Sequence, residues 1–327
     1  MNRFHSFLGR VMREHVVQMR SLGYRYDVNE RMLHRFDRFL RPHPSWRRLP
    51  LSGLLARWAE SRPTPHRLYE AQDVGRMIST ALHRRDPSVA IMLGSPEVRR
   101  RARQQYRRPY VCTDEEIRRL LRAALRFPSP QASLRPLCLY TMLTLAYCVG
   151  LRVGEVAALK LRNVDLHGGA IEIEGAKFFK HRRLPLAPSV LAVLRQYLVA
   201  RQRAGASLSP ESGVFWNARR GAPYSNGAVR VLMAQVLRYA GLKEARGKAG
   251  PRVHDLRHTM VAHRMRNWYR EGVEVQSKLP YLATYLGHKD INSTLVYLNS
   301  TPELLRQAGQ RFRDHSVETL RASGVRQ

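Results

Sequence analysis

The chemistry-bearing residues of the chain crowd into one stretch, HDLRHTMVAHRMRNWYREGVEVQSKLPYLATYLGHKDINSTLVY, which runs from His254 to Tyr297. His254, Arg257 and His258 stand at i, i+3 and i+4, so a helix brings them to one face. His288 follows in a Leu-Gly-His triplet, and Tyr297 comes nine residues later, just past Asn292, Ser293 and Thr294, which read as the start of another short helix. A guanidinium matches phosphate oxygens with its two-pronged fork, imidazoles donate hydrogen bonds or move protons, and a phenol becomes a nucleophile once its proton is taken. The set suits phosphate chemistry. Read one residue at a time, the same stretch is two amphipathic helices with histidines satisfied in a core.

The elements that must position these groups begin upstream. Thr113 with Glu116 three residues later has the capping-box spacing and opens a helix to about Leu125. A buried helix covers about Leu134 to Val149, and Gly150 ends it. Arg152 then stands at the entrance of a new helix whose apolar side is Val153, Val156, Ala157 and Leu159. Nothing in a core asks for charge there. Glu155, one turn on, is placed to orient that guanidinium, and a surface Arg-Glu pair is the plainer alternative. The segment from Gly168 to Pro188 reads as a β-hairpin with alternation in Ala170 to Glu174 and again near Arg182 to Leu186. Its turn carries Lys177 and Lys180, two of only seven lysines against fifty arginines. Arginine is a poor proton donor, whereas lysine can be tuned to release a proton. A helix over about 189–204, a short strand at Val214 to Trp216 and a Ser225-capped helix to Tyr239 complete the path to His254.

Arg152 in GLRVGE, Lys177 on a hairpin, His254-x-x-Arg257, His288 in LGH and Tyr297 together resemble, in order and spacing, the tyrosine recombinase (phage integrase) family. The similarity spans about 200 residues. It implies a mixed α/β catalytic domain preceded by a helical DNA-binding bundle, so the expected fold is mainly α with a small β-sheet. It implies Arg152 and Arg257 clamping a scissile phosphate, His254 and His288 hydrogen-bonding it, Lys177 as general acid and Tyr297 as nucleophile. His254 is also a candidate base, and Glu155 and His258 are supporting residues. The implied activity is site-specific cleavage and rejoining of DNA through a 3′-phosphotyrosyl intermediate, with no metal, nucleotide or other cofactor. A homo-oligomer on double-stranded DNA, in the form of a synaptic tetramer, is the implied partner state, with room for other recombinases of the same element. Two other readings stay open: a type IB topoisomerase-like nicking-closing enzyme and a non-catalytic DNA-binding relative. Phe178 and Phe179 stand where the family often has glycine and a polar residue, which keeps Lys180 beside Lys177 as candidate acid. The long interval from His254 to His288 is similar to integrases of transposon-like mobile elements.

Charge agrees with a polyanionic partner. The formal net charge is +32, from 57 basic and 25 acidic residues, far beyond what solubility asks. The first 108 residues hold 23 arginines, no lysine and nine acidic residues. The remainder holds 27 arginines, seven lysines and 16 acidic residues, so both parts are basic, and duplex DNA fits a charge spread through globular patterning better than a membrane surface does. The length of 327 residues suits two domains, expected at 1–105 (DNA-binding bundle) and 106–327 (catalytic domain with a C-terminal tail helix). Within the first, four amphipathic helices are expected: one ending near Gly23, one opened by an Asp27/Glu30 capping box, one at 51–60 and one opened by Thr64-Pro65. The basic run 98–110 reads as the connector. Cys112, Cys138 and Cys148 show no ligand spacing and read as reduced core residues. The longest apolar run, Leu137 to Leu151, is short for a membrane span, and the N-terminus lacks a secretion signal, so a cytoplasmic, nucleoid-associated bacterial protein is expected.

Overall fold

The computed structural model describes residues 4–104, 107, 109–174, 181–245, 249–287, 309, 310 and 313. The chain divides into two compact units, Met1–Arg107 and Arg108–Gln327. It is mainly helical with small antiparallel sheets.

The first unit holds α1 (Gly9–Ser21), α2 (Asp27–Leu40), α3 (Leu51–Glu60), α4 (Pro65–His83) and α5 (Pro96–Gln104). Met12, Leu33, Phe36, Leu40, Leu54, Trp58, Val74 and Ile78 close its core, with the Phe36 and Trp58 rings 5.0 Å apart. Thr64 caps α4, its Oγ1 accepting from the Arg67 N–H at 3.1 Å, as its sequence position predicts. The Asp27/Glu30 box does not form. Tyr26 is the residue before α2, in the left-handed region at φ 56°, and Asp27 is already the first helical residue. Tyr26 is tethered there by its hydroxyl, 2.8 Å from His15 Nε2. The run 98–110 also departs from expectation, because its first part belongs to α5, where Glu97 and Arg101 pair at i, i+4.

The second unit is built on α7 (Arg135–Cys148), with α6 (Asp114–Leu125) and α8 (Val153–Ala158) beside it. Thr113 and Glu116 form the expected reciprocal cap at 3.2 and 2.7 Å. α7 buries Leu139, Met142, Leu143 and Leu145 completely, each worth roughly 1.5–3 kcal/mol of transfer free energy. Cys112 and Cys138 are buried as expected, but Cys148 is exposed. Ten residues on a helix of about 3.6 per turn bring Cys148 round about a quarter turn from Cys138, off the core face. Gly150 ends α7 at φ +69°, a conformation that disfavours any side chain, and a Cβ there would press to 3.3 Å on Met260.

β1 (Val164–Asp165), β2 (Ala170–Ile173) and β3 (Arg182–Pro185) form an antiparallel sheet in that order, with Ile173 opposite Arg182 and Ile171 opposite Leu184. The expected hairpin is therefore present, while its turn, with Lys177 and Lys180, lies outside the described residues. After α9 (Pro188–Arg203), the strand expected at 214–216 is shifted: Val214 and Phe215 enter the core, and β4 (Trp216–Asn217) pairs with β5 (Ala222–Pro223). α10 (Asn226–Tyr239) is capped by Ser225 as expected. α11 (Asp255–Arg270) and α12 (Val275–Leu286) take up the long interval between His254 and His288, joined by a turn at Gly272.

Candidate active site

α11 carries the His-x-x-Arg pair, and its placement is over-determined. Leu256, Val261 and Met265 are fully buried, Thr259 Oγ1 accepts from the Cys112 N–H at 3.0 Å, and Arg266 reaches Asp114 with bonds of 2.9 Å. His263 Nδ1 lies 2.9 Å from the Tyr147 hydroxyl on α7. With α11 pinned to α6 and α7, His254 becomes the residue just before its first turn, and Arg257 points inward.

Arg257 is 2% exposed. Its Nη1 donates to the Gly150 carbonyl at 2.7 Å and its Nη2 to the Leu286 carbonyl at 2.6 Å. It thus straps together the turn that leads into Arg152 and the end of α12 that leads into His288. Its charge sits beside the site, and charge-assisted bonds to two helix-terminal carbonyls hold it there.

Arg152 precedes α8, and Glu155 in the first turn of α8 serves it twice: Oε2 accepts the Arg152 backbone N–H at 2.9 Å, and Oε1 accepts from Arg152 Nη1 at 2.8 Å. Glu155 is only 10% exposed at its side chain, so this is no loose surface pair. Burial would push its carboxyl up, but the hydrogen bond and charge of Arg182, then the Arg152 N–H and guanidinium, hold it below the usual carboxylate range. Arg182 was not singled out by the sequence. Its Nη2 donates to Glu155 Oε2 at 2.8 Å.

Arg152 and His254 line a cavity of about 470 Å³, joined there by Arg230, Lys243 and Arg252. His254 is held below its ordinary pKa by burial first and then by Arg257 and Arg152, so it is a neutral imidazole at pH 7. His258 stands edge-on to it, ring centroids 4.9 Å apart, and is pushed down to about 4, by burial first and then by His254. His258 is therefore a neutral neighbour of His254. Of the expected site residues, Arg152, Glu155, His254, Arg257 and His258 are brought together, while Lys177, His288 and Tyr297 lie outside the described residues. Gly287 ends α12 at φ +65°, directly before His288. Among the described residues, no group of three His, Cys, Asp or Glu side chains is arranged to hold a metal ion, and no helix is long and apolar enough to cross a membrane.

In the first unit, Arg31, Arg35, Arg38 and Arg41 follow one face of α2 and its end, and with His5 and His34 they line a cavity of about 480 Å³. Asp37 between them is turned to the His5 and Ser6 backbone N–H groups, at 2.9 to 3.1 Å.

Residues 111–303 match the model of the phage integrase family. The "Putative integrase/recombinase y4rB" of Sinorhizobium fredii (strain NBRC 101917 / NGR234) is 32% identical over 92% of this chain and 95% of its own length. Its companion y4rE, from the same strain, is 33% identical over 95% and 97%. Among solved structures, the fold is similar to the Tn1549 transposon integrase, with a TM-score of 0.63 at 16% identity over 92% of this chain and 99% of that one. It is also similar to a lambda integrase dimer, at 0.56 and 18% identity over 90% and 77%. The family match covers more than half of the sequence, including the segments that carry Arg152, His254 and Arg257, and the chain belongs to the phage integrase family, the tyrosine recombinases.

Proposed function

We propose that the protein is a site-specific DNA recombinase that cleaves and rejoins strands through a 3′-phosphotyrosyl intermediate. The observation that carries this reading is the convergence of Arg152 and His254 on one cationic cavity, with Arg257 strapped behind them, although about a hundred residues separate Arg152 from the others. Fixed cations in a water-poor site stabilise the charge that grows on non-bridging phosphate oxygens more than they would in water. In the proposed reaction the Tyr297 oxygen bonds to the scissile phosphorus, the bond to the 5′ oxygen breaks, and Lys177 gives that oxygen a proton. His254, neutral and beside two arginines, hydrogen-bonds the phosphate or accepts the phenolic proton. The phosphotyrosyl bond keeps the energy of the broken linkage, so a 5′ hydroxyl can reverse the step on a new partner without a cofactor.

Double-stranded DNA is the proposed partner, as for the Tn1549 and lambda integrases, which were solved on DNA, the latter also as a tetramer on a Holliday junction. A synaptic tetramer, with or without other recombinases of the same element, and a place on the bacterial nucleoid follow from this reading. The proposed division of labour is a DNA-binding unit through about residue 105 and a catalytic unit after it. The arginine face of α2 makes phosphate contacts in this scheme. Duplex binding should then fall with salt at a log-log slope steeper than about −3, and Arg38→Ala and Arg41→Ala should each relax the slope by about 1. A slope unchanged by both substitutions would remove α2 from the DNA contact.

The decisive assay is a nicked suicide duplex bearing the ends of the element that encodes the protein. A recombinase gives a denaturation-resistant adduct and joins strands between two such sites. Relaxation of supercoiled plasmid without a defined site points to the nicking-closing reading, and binding without any adduct points to the non-catalytic one.

A further inference from the structure

The proposed chemistry leaves Arg182 without a role. It opens β3, and strand alternation turns it to the same face as Leu184, which is 1% exposed. The Arg182 side chain is itself only 8% exposed. One of its nitrogens, Nη2, is committed to Glu155, whereas Nε and Nη1 are buried with no hydrogen-bond partner among the described residues. It also abuts the end of α12, since a Cβ built on Gly287 would lie 2.9 Å from Nη1. A buried guanidinium with two unpaired donors is costly, and it persists only where surrounding groups hold it in place.

The charge balance of the cluster gives it a purpose. Glu155 fixes Arg152, but a carboxylate 2.8 Å from a guanidinium also cancels much of the field that guanidinium would offer a phosphate. Arg182 meets the other oxygen of the same carboxylate. Among the described residues, Glu155 is the only carboxylate within ion-pair distance of either arginine, so two guanidiniums face one carboxylate and the trio stays net positive. We propose that Arg182 is a positioning residue that offsets the charge of Glu155, letting Glu155 orient Arg152 while Arg152 keeps its attraction for the scissile phosphate. Arg182 acts through Glu155 and need not touch DNA.

This rests on the recombinase reading above, and its test separates the two. The measured quantity is the first-order rate of adduct formation at saturating suicide substrate, with half-site affinity and thermal melting followed alongside. Arg182→Gln keeps most of the length and a donor but removes the charge, and it should slow cleavage by about 10- to 100-fold, the usual cost of losing a partner that orients a working group. Half-site affinity should stay at its wild-type value. Arg182→Lys keeps the charge and should cleave at close to the wild-type rate. Adding Glu155→Gln to Arg182→Gln removes the uncompensated carboxylate and should restore most of the lost rate, an outcome a merely structural role does not produce. Melting temperatures show which variants are folded, and if Arg182→Gln is not, Arg182→Met with and without Glu155→Gln carries the same comparison. The inference is overturned if Arg182→Gln cleaves normally, if Arg182→Lys is as slow as Arg182→Gln, or if the double variant is slower still. A wild-type protein that forms no adduct overturns the recombinase reading together with it; a normal wild-type adduct with an indifferent Arg182 overturns this inference alone.

Discussion

Tyr297→Phe should bind DNA as tightly as the wild type and form no denaturation-resistant adduct, a loss on the order of 10⁴-fold or more, as expected when a covalent nucleophile is removed. The substitution deletes one oxygen and leaves the apolar ring, so DNA binding should be preserved. A phenol has an unperturbed pKa of about 10 and needs cations or a base beside it to attack at neutral pH. Among the described residues, Tyr147 and Tyr285 are disfavoured for that. Burial pushes the Tyr147 phenol up to about 12, and its hydroxyl is engaged with His263. Burial likewise raises Tyr285, outweighing the nearby arginines. Tyr281 is 72% exposed on α12. Peptide mapping of the trapped adduct decides the matter: attachment at Tyr269, Tyr281 or Tyr285 would place the nucleophile in the long interval before His288 instead.

How far the site could be read from the sequence depended on whether a residue's signal is local. His254, Arg257 and His258 announce themselves by helical spacing, and Gly150 followed by Arg152 announces a helix end and a new entrance; α11 and α8 place them accordingly. The Glu155 link to Arg152 spans one turn, so it too was legible. Arg182 is not, because it is one of fifty arginines and its partner stands 27 residues away on α8. One clue did exist: Arg182 and Leu184 alternate on the inner face of the strand, and an arginine on an inner face calls for a partner. The strapping role of Arg257 was also invisible, since backbone carbonyls at Gly150 and Leu286 leave no mark in composition. The errors in the first unit have the same origin. The type of Asp27 suggests a cap, but with Tyr26 tethered to His15 the helix starts one residue earlier, and α5 forms from a charged run that carries almost no apolar periodicity.

Lys177→Ala should cleave ordinary DNA about 10²- to 10⁴-fold more slowly than the wild type, the contribution expected of a general acid, and should regain most of that rate when the scissile 5′ oxygen is replaced by sulfur. An alkoxide is a poor leaving group until it is protonated, whereas a thiolate has a far lower proton affinity and departs unaided. The sulfur therefore substitutes for the acid and for nothing else. Arg152→Ala is the matched control. Its proposed role is to stabilise the non-bridging oxygens, which the sulfur does not alter, so it should stay slow on both substrates. Arg182→Gln should behave like Arg152→Ala, since it acts on the same guanidinium through Glu155 and not on the leaving group. The hairpin makes the comparison sharp, because β2 and β3 fix the two strands at Ile173 opposite Arg182, and both lysines belong to the connection between them. Rescue of Lys180→Ala in place of Lys177→Ala would move the acid by three residues along that turn. Absence of rescue in both would remove lysine as the proton donor and leave each as a cation facing the DNA backbone.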